Sequence, residues 1–299
     1  MPEWDAELEV DEDLARRLIG RRFPTLDPGS LRRVGEGWDN VVWATRDGVA
    51  FRFPRREIAV PGVEREIVVL PHLAARLPLE IPDAAYPAEP DRDFRWPWFG
   101  SRLIPGREIA SARLGDAERT AIAPRLGHFL RTLHRVTLDC DATLPIDPHG
   151  RTDMTARVPS TRAALSRVQP LWTAPVEAHE ILEEAERLPP PSATAIVHGD
   201  LHVRHLLLDA TGTLVGVIDW GDVCRADPAA DLSLFWSLLP PAGRDAFLGS
   251  YGPVAADALL RARVLALFLS ATLATYARAT GNPDLEREAV SGLERTLVR

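Results

Sequence analysis

The chain has 299 residues, enough for two lobes or domains, and its 45% hydrophobic and 26% charged residues match a soluble globular protein, with no apolar run near the roughly 20 residues of a membrane helix. A formal net charge of -8 excludes a general nucleic-acid binder and suits a cationic ligand. All 35 basic residues are arginine, so a cation gripping phosphate has to be Arg or His, and the two cysteines, Cys140 and Cys224, offer neither a disulfide framework nor a metal cluster.

The first residues, Met-Pro-Glu-Trp-Asp-Ala-Glu, are acidic and lack the basic and apolar regions of a signal peptide, so a reducing cytoplasm is the expected compartment. Leu8, Val10, Leu14 and Leu18 fall at near-helical spacing and predict a helix over Glu7 to Ile19, ended by Phe23-Pro24. Leu31 to Trp43 predicts strand, turn, strand, with Gly35 and Gly37 in the turn, where glycine lets backbone N–H groups approach a phosphate. After the turn Arg46-Asp47-Gly48, Val49 to Pro54 predicts a third strand in which Arg52 alternates with apolar neighbours. Pro61 to Leu77 predicts a helix carrying Glu64 and Glu66. Asp83 to Arg95 reads as a Pro-rich connection, and Trp96 to Gly106 as a strand running into a lobe boundary around Ile104 to Arg107.

Ile122, Leu126, Phe129, Leu130 and Leu133 share one face of a predicted helix over Asp116 to Val136, where His134 reads as a packing or hydrogen-bonding residue. Pro145 to Thr155 reads as loop, followed by helices over Val158 to Leu171 and Pro175 to Leu188. The acids of the second helix (Glu177, Glu180, Glu183, Glu184, Glu186) read as a solvated face. Next comes Ile196-Val197-His198-Gly199-Asp200-Leu201-His202-Val203-Arg204-His205, a strand over Leu206 to Leu208, a turn through Asp209 to Gly212, a strand over Leu214 to Ile218, and then Asp219-Trp220-Gly221-Asp222. Asp200 and Asp219 therefore flank the mouth of a hairpin. Phosphoryl transfer asks for two such acids, one to accept a hydroxyl proton and one to hold Mg²⁺ against nucleotide phosphates. Asp227 before Pro228 reads as a helix N-cap, and Asp231 as a brace for the loop at 198–205. Helices are predicted over Pro241 to Tyr251, Ala255 to Thr280 and Pro283 to Val298, with Arg261 to Ala279 central and buried.

The pattern His198-Gly-Asp200-Leu-His202, with His205 five residues after Asp200 and Asp219-Trp-Gly-Asp after the hairpin, resembles the aminoglycoside phosphotransferase family, which shares the protein-kinase fold. The resemblance implies an α+β fold of two lobes. Residues 1–104 would form a nucleotide-binding lobe with a small antiparallel sheet and a helix, and residues 105–299 a larger, mainly helical catalytic and substrate-binding lobe. Asp200 would be the catalytic acid-base residue and Asp219 a Mg²⁺ ligand. His205, where kinases carry Asn, would bind the metal, hold a metal-bound water or grip a phosphate. Arg52, held by Glu66, would bind the phosphates of ATP or GTP under Gly35 and Gly37, and backbone groups near Ser101, Arg102 and Leu103 would meet the purine. The run His-Gly-Asp-Leu-His-x-x-His is similar to macrolide phosphotransferases and turns the expected acceptor toward a macrolide or aminoglycoside antibiotic, acted on by a monomer. The same motifs serve metabolic kinases of choline, homoserine or sugars, and a nucleotide-binding module without turnover is the third reading. A protein kinase is disfavoured, because Asp227-Pro-Ala-Ala-Asp231-Leu follows Asp219 too soon for a long activation segment.

Overall fold

A computed structural model of the chain describes residues 6–29, 31–37, 39–139 and 143–298. The leader reading of the first five residues and the reading of Cys140 lie outside them. The chain divides into two compact units, Met1–Arg76 with Glu80–Pro105, and Leu77–Leu79 with Gly106–Arg299.

In the first unit, helix α1 (Glu12–Arg22) starts where Asp11 accepts a hydrogen bond from the Leu14 N–H at 2.8 Å, with acids in its first turn and Arg21 and Arg22 in its last, as the helix dipole favours. It begins five residues later than the apolar spacing predicts. The Glu7 and Leu8 N–H groups donate to the Arg55 carbonyl, and the Val10 carbonyl accepts the Trp43 indole N–H, so that stretch is tied down by tertiary contacts. Five strands follow: β1 (Arg32–Glu36), β2 (Asn40–Ala44), β3 (Val49–Pro54), β4 (Tyr86–Ala88) and β5 (Trp98–Arg102), antiparallel in the order β1-β2-β3-β5-β4. β4 lies inside the segment read as a plain connection; three residues containing a Pro carry no period of their own, and only pairing with β5 makes them a strand. Helix α2 (Val60–Ala74) sits between β3 and β4 in the chain and ends three residues before the predicted Leu77. On β3, Phe51 and Phe53 are fully buried, and the Phe53 ring stacks on Trp98 of β5 at 4.7 Å between centroids.

The second unit opens with β6 (Arg107–Glu108) and α3 (Ile109–Ala112). It continues through α4 (Asp116–Leu133), α5 (Met154–Val168), α6 (Val176–Ala185), β7 (Ala195–Val197), β8 (Leu206–Leu208), β9 (Leu214–Val217), β10 (Cys224–Ala226) and α7 (Ser233–Ser237). It closes with α8 (Pro241–Tyr251), α9 (Ala256–Thr280) and α10 (Pro283–Leu297). The β8–β9 hairpin forms where expected, and Asp209 caps its turn by accepting from the N–H groups of Thr211 and Thr213. Two additions were not predicted: β6 pairs along β8, and β10 pairs with β7. Helix α5 starts at an Asp153 cap, four residues before the predicted Val158, and Glu177, Glu180, Glu183, Glu184 and Glu186 are all exposed.

Helix α9 corrects the membrane expectation. Its most apolar 18 residues have a mean hydropathy of 1.5, which with 25 residues of length is enough by composition alone for a span. Val264, Leu267, Ala271 and Ala274 on this helix are nevertheless fully buried in one cluster with residues of α5, α6 and α10, the packing of a core helix.

Candidate active site

Residues 198–205 are held from three sides. Strand β7 is buried along its length and delivers the chain to His198. The N–H groups of His198 and Gly199 then donate to the two carboxylate oxygens of Asp231, at 2.8 and 3.0 Å. His134 Nε2 donates to the same carboxylate at 3.0 Å, and its Nδ1 lies 2.8 Å from the Tyr251 hydroxyl. Burial pushes the Asp231 carboxyl up, but the His134 hydrogen bond, the two nearby imidazoles and the Gly199 N–H outweigh it and hold the group below the usual carboxylate range. Asp231 thus braces the loop, as the sequence suggested, and the predicted hydrogen-bonding role of His134 is specifically to hold that brace.

His198 adds the third side. Its Nε2 donates to the Ile218 carbonyl at 3.0 Å, fastening the loop to the residue after β9, and its Nδ1 accepts the Asp200 N–H at 3.3 Å. Burial lowers its pKa, as does the nearby His205, in keeping with a neutral ring whose proton sits on Nε2. Gly199 between them has φ +87°, and a Cβ there would lie 2.4 Å from the Asp222 carbonyl oxygen. Gly199→Ala is therefore expected to cost about 2–4 kcal/mol, combining left-handed strain with backbone displacement, read as a lower urea midpoint at unchanged slope.

This scaffold sets the two acids. Asp200 is partly exposed, with Arg151 Nη2 3.7 Å from Oδ1 and His202 Nε2 3.7 Å from Oδ2. Asp219 follows β9 at φ +67°, a left-handed conformation uncommon for a residue with a side chain, and its carboxylate is 47% exposed. His205 Nδ1 lies 2.7 Å from the Asp200 carbonyl oxygen, which can only accept. Nδ1 therefore donates to that carbonyl, and Nε2 faces Asp219 Oδ2 at 3.4 Å. Adjacent ligands of a divalent ion bound at about 2.1 Å lie about 3 Å apart, so this pair fits one. Asp200, His202 and His205 also offer ligand atoms within 4.8 Å of one another. The donors are mixed: carboxylate oxygen suits Mg²⁺, whereas imidazole is softer than that ion prefers.

In the first unit, Arg52 Nε lies 3.3 Å from Glu66 Oε2, and Glu66 is almost wholly buried on α2. The predicted strand cation and helix acid are thus a pair. Gly35 lies within β1 at a β-bulge, not in the turn, and a Cβ there would meet nothing; the Gly37 N–H donates to the Asn40 carbonyl at 2.9 Å. Neither has positive φ, so local geometry demands glycine at neither place. Two groups of the expected purine-contact segment are already engaged: the Ser101 hydroxyl accepts the Ala84 N–H at 2.9 Å, and the Leu103 N–H donates to the Gly48 carbonyl at 2.8 Å. Arg102 is exposed.

Two residues escaped the sequence reading. Arg151 Nη2 donates to Asp222 Oδ2 at 2.7 Å while approaching Asp200, and Arg157 donates from Nε and Nη2 to the Arg151 and His149 carbonyls, each at 3.3 Å. Arg151 lies in the segment read as loop, and its partner Asp222 is 71 positions away, beyond the reach of any local signal. With Asp200 and the apolar side chains of Leu265, Phe268 and Leu269, both arginines line an open pocket of about 230 Å³ in the second unit.

Residues 30–266 match the model of the APH phosphotransferase enzyme family. The chain belongs to that family. Its fold is the protein-kinase-like one expected, as solved structures show. The GDP and kanamycin complex of APH(2")-IIIa aligns with a TM-score of 0.68 at 22% identity, over 94% of this chain and 97% of that one. The macrolide 2'-phosphotransferase MphH from Brachybacterium faecium, as apoenzyme, aligns with a TM-score of 0.60 at 24% identity, over 95% and 97%. The streptomycin-ATP ternary complex of APH(2")-IIa aligns with a TM-score of 0.57 at 18% identity, over 96% and 97%. Among curated sequences, the uncharacterized protein YcbJ of Bacillus subtilis (strain 168) is 40% identical over 48 residues, and the match spans 16% of each chain.

Proposed function

We propose that this phosphotransferase moves the γ-phosphoryl group of ATP or GTP to a hydroxyl of a small molecule. The observation that carries the reading is the pairing of an accessible Asp200, on a loop fixed by Asp231 and His198, with His205 Nε2 and Asp219 Oδ2 set 3.4 Å apart. In the proposed step, Asp200 orients the acceptor hydroxyl and takes its proton. The hydroxyl oxygen forms a bond to the γ-phosphorus as the bond from that phosphorus to the bridging oxygen breaks, and the nucleoside diphosphate leaves.

Asp219 and His205 would hold Mg²⁺, which when bound supplies neutralising charge at the nucleotide phosphates. Arg52, oriented by Glu66, would grip the α- and β-phosphates with a planar fork instead of the usual ammonium. Gly35 and Gly37 would leave room for the phosphates, a reason for glycine that the local backbone does not itself provide. Purine contacts would fall to backbone groups of residues 101–103 other than the Leu103 N–H.

The catalytic-loop histidines favour an antibiotic acceptor, a macrolide or an aminoglycoside, whose modification would confer resistance. A metabolic acceptor is the second reading, and the arginines beside Asp200 favour it. The test is nucleotide consumption with Mg²⁺ and either ATP or GTP against macrolides, aminoglycosides and hydroxylated metabolites, with mass detection of a phosphate adduct. Tight nucleotide binding with no adduct on any acceptor would make the chain a binding module. Asp219→Ala is expected to weaken Mg–nucleotide binding about 10–100-fold in titration calorimetry; unchanged affinity would remove Asp219 from the metal.

A further inference from the structure

The pocket beside Asp200 has a charge pattern the phosphotransfer step does not use. Arg157 is nine-tenths buried, lies over the Phe268 ring at 4.4 Å, and donates to two backbone carbonyls. Among the described residues no carboxylate pairs with it. Of the two carboxylates that act on it through space, Asp147 accepts from the Arg151 and Thr152 N–H groups and the Thr152 hydroxyl, and Asp200 lines the same pocket without a hydrogen bond to it. Burial, and after it the neighbouring Arg151 guanidinium, push the Arg157 pKa down, and Asp147 and Asp200 offset this only in part. Arg151 in turn leaves Nη1 buried and without a partner. Among the described residues Asp200 is the one carboxylate lining the pocket, beside two guanidiniums and an apolar wall on α9. A polycation entering here would meet the Arg157 guanidinium beside Asp200, with Arg151 already paired to Asp222.

We propose that the acceptor is an alcohol that also carries a carboxylate-class anion and an apolar segment. The anion is met by the Arg157 guanidinium and Arg151 Nη1, and the apolar segment lies on Leu265, Phe268 and Leu269. The inference rests on the phosphotransfer reading only for the word acceptor; the pocket's preference for an anion stands without it. An Arg holds a carboxylate bidentately, and a desolvated guanidinium gains more from it than an exposed one does.

The test is calorimetric titration of the full chain, without nucleotide, using aliphatic and aromatic hydroxy acids, the methyl ester of each, and kanamycin. Acids are expected to bind about tenfold tighter than their esters, with kanamycin weaker than the acids. Arg157→Gln keeps a donor for the two carbonyls but loses the charge, and the acid-to-ester ratio should fall to about one. Arg157→Leu, if folded by circular dichroism, should do the same. Esters binding as tightly as acids, no acid binding at all, kanamycin binding tighter than every acid, or an unchanged ratio in Arg157→Gln would each overturn the proposal. Adding Mg–ATP or Mg–GTP separates the two levels. Acids that bind through Arg157 but are never phosphorylated leave the pocket assignment standing and remove the phosphotransfer reading.

Discussion

Asp200→Asn is expected to lower turnover about 10²–10⁴-fold, the usual contribution of a positioned general base, while leaving Mg–nucleotide affinity within about threefold. The amide is nearly isosteric and keeps an oxygen for the Arg151 contact at 3.7 Å, but its proton affinity is too low to take a hydroxyl proton. The backbone around it should not move, because the Asp200 N–H is held by His198 and the Asp200 carbonyl by His205, and neither contact uses the side chain. Single-turnover phosphoryl transfer, measured beside nucleotide titration, separates chemistry from binding. Turnover within tenfold of the parent would take the proton-accepting role away from Asp200. A parallel loss of nucleotide affinity would instead place its carboxylate on the metal.

Asp231→Asn is expected to cost about 3–5 kcal/mol of stability, the range for removing one partner from a buried charged network. The carboxylate is fully buried and accepts three donors, from His198, Gly199 and His134. An amide can offer one oxygen to these, and its NH₂ would face at least one of the remaining N–H groups donor to donor. Urea denaturation reads the stability, and hydrogen exchange at the His198 and Gly199 amides reads the loop directly. Unchanged exchange there would mean that the loop does not depend on its brace. The pH dependence carries its own sign. The carboxyl is held below its ordinary value of about 4, so the stability it contributes is present above that pH and is lost as pH falls through the lower, folded value. In Asp231→Asn that part of the acid sensitivity should vanish.

Net charge and pocket chemistry point in opposite directions. The overall balance of -8 suits a cationic ligand, yet the pocket beside Asp200 presents Arg151 and Arg157. Net charge sets the far field, and it is silent about which side chains the fold turns into one cavity.

The local features were legible because each is written over a few consecutive residues. The β8–β9 hairpin follows from two apolar runs around Asp209 to Gly212, the Asp227 cap from Asp-Pro, and α8 and α9 from apolar periodicity and turn residues at their ends. Asp200 and Asp219 flanking one short ribbon suited phosphoryl transfer, and the resemblance of the surrounding motif to the phosphotransferase family implied the part of His205. Tertiary structure decided the rest. It drew residues 7–10 out of a helix by tying them to Arg55 and Trp43, and made strands of β4, β6 and β10 by pairing alone. It made His205 Nδ1 a donor by setting that atom against the Asp200 carbonyl, and brought Arg151 to an acid 71 residues away. Helix and turn signals arise from neighbours along the chain, whereas tautomers, ion pairs and pockets arise from groups that meet only once distant segments have packed.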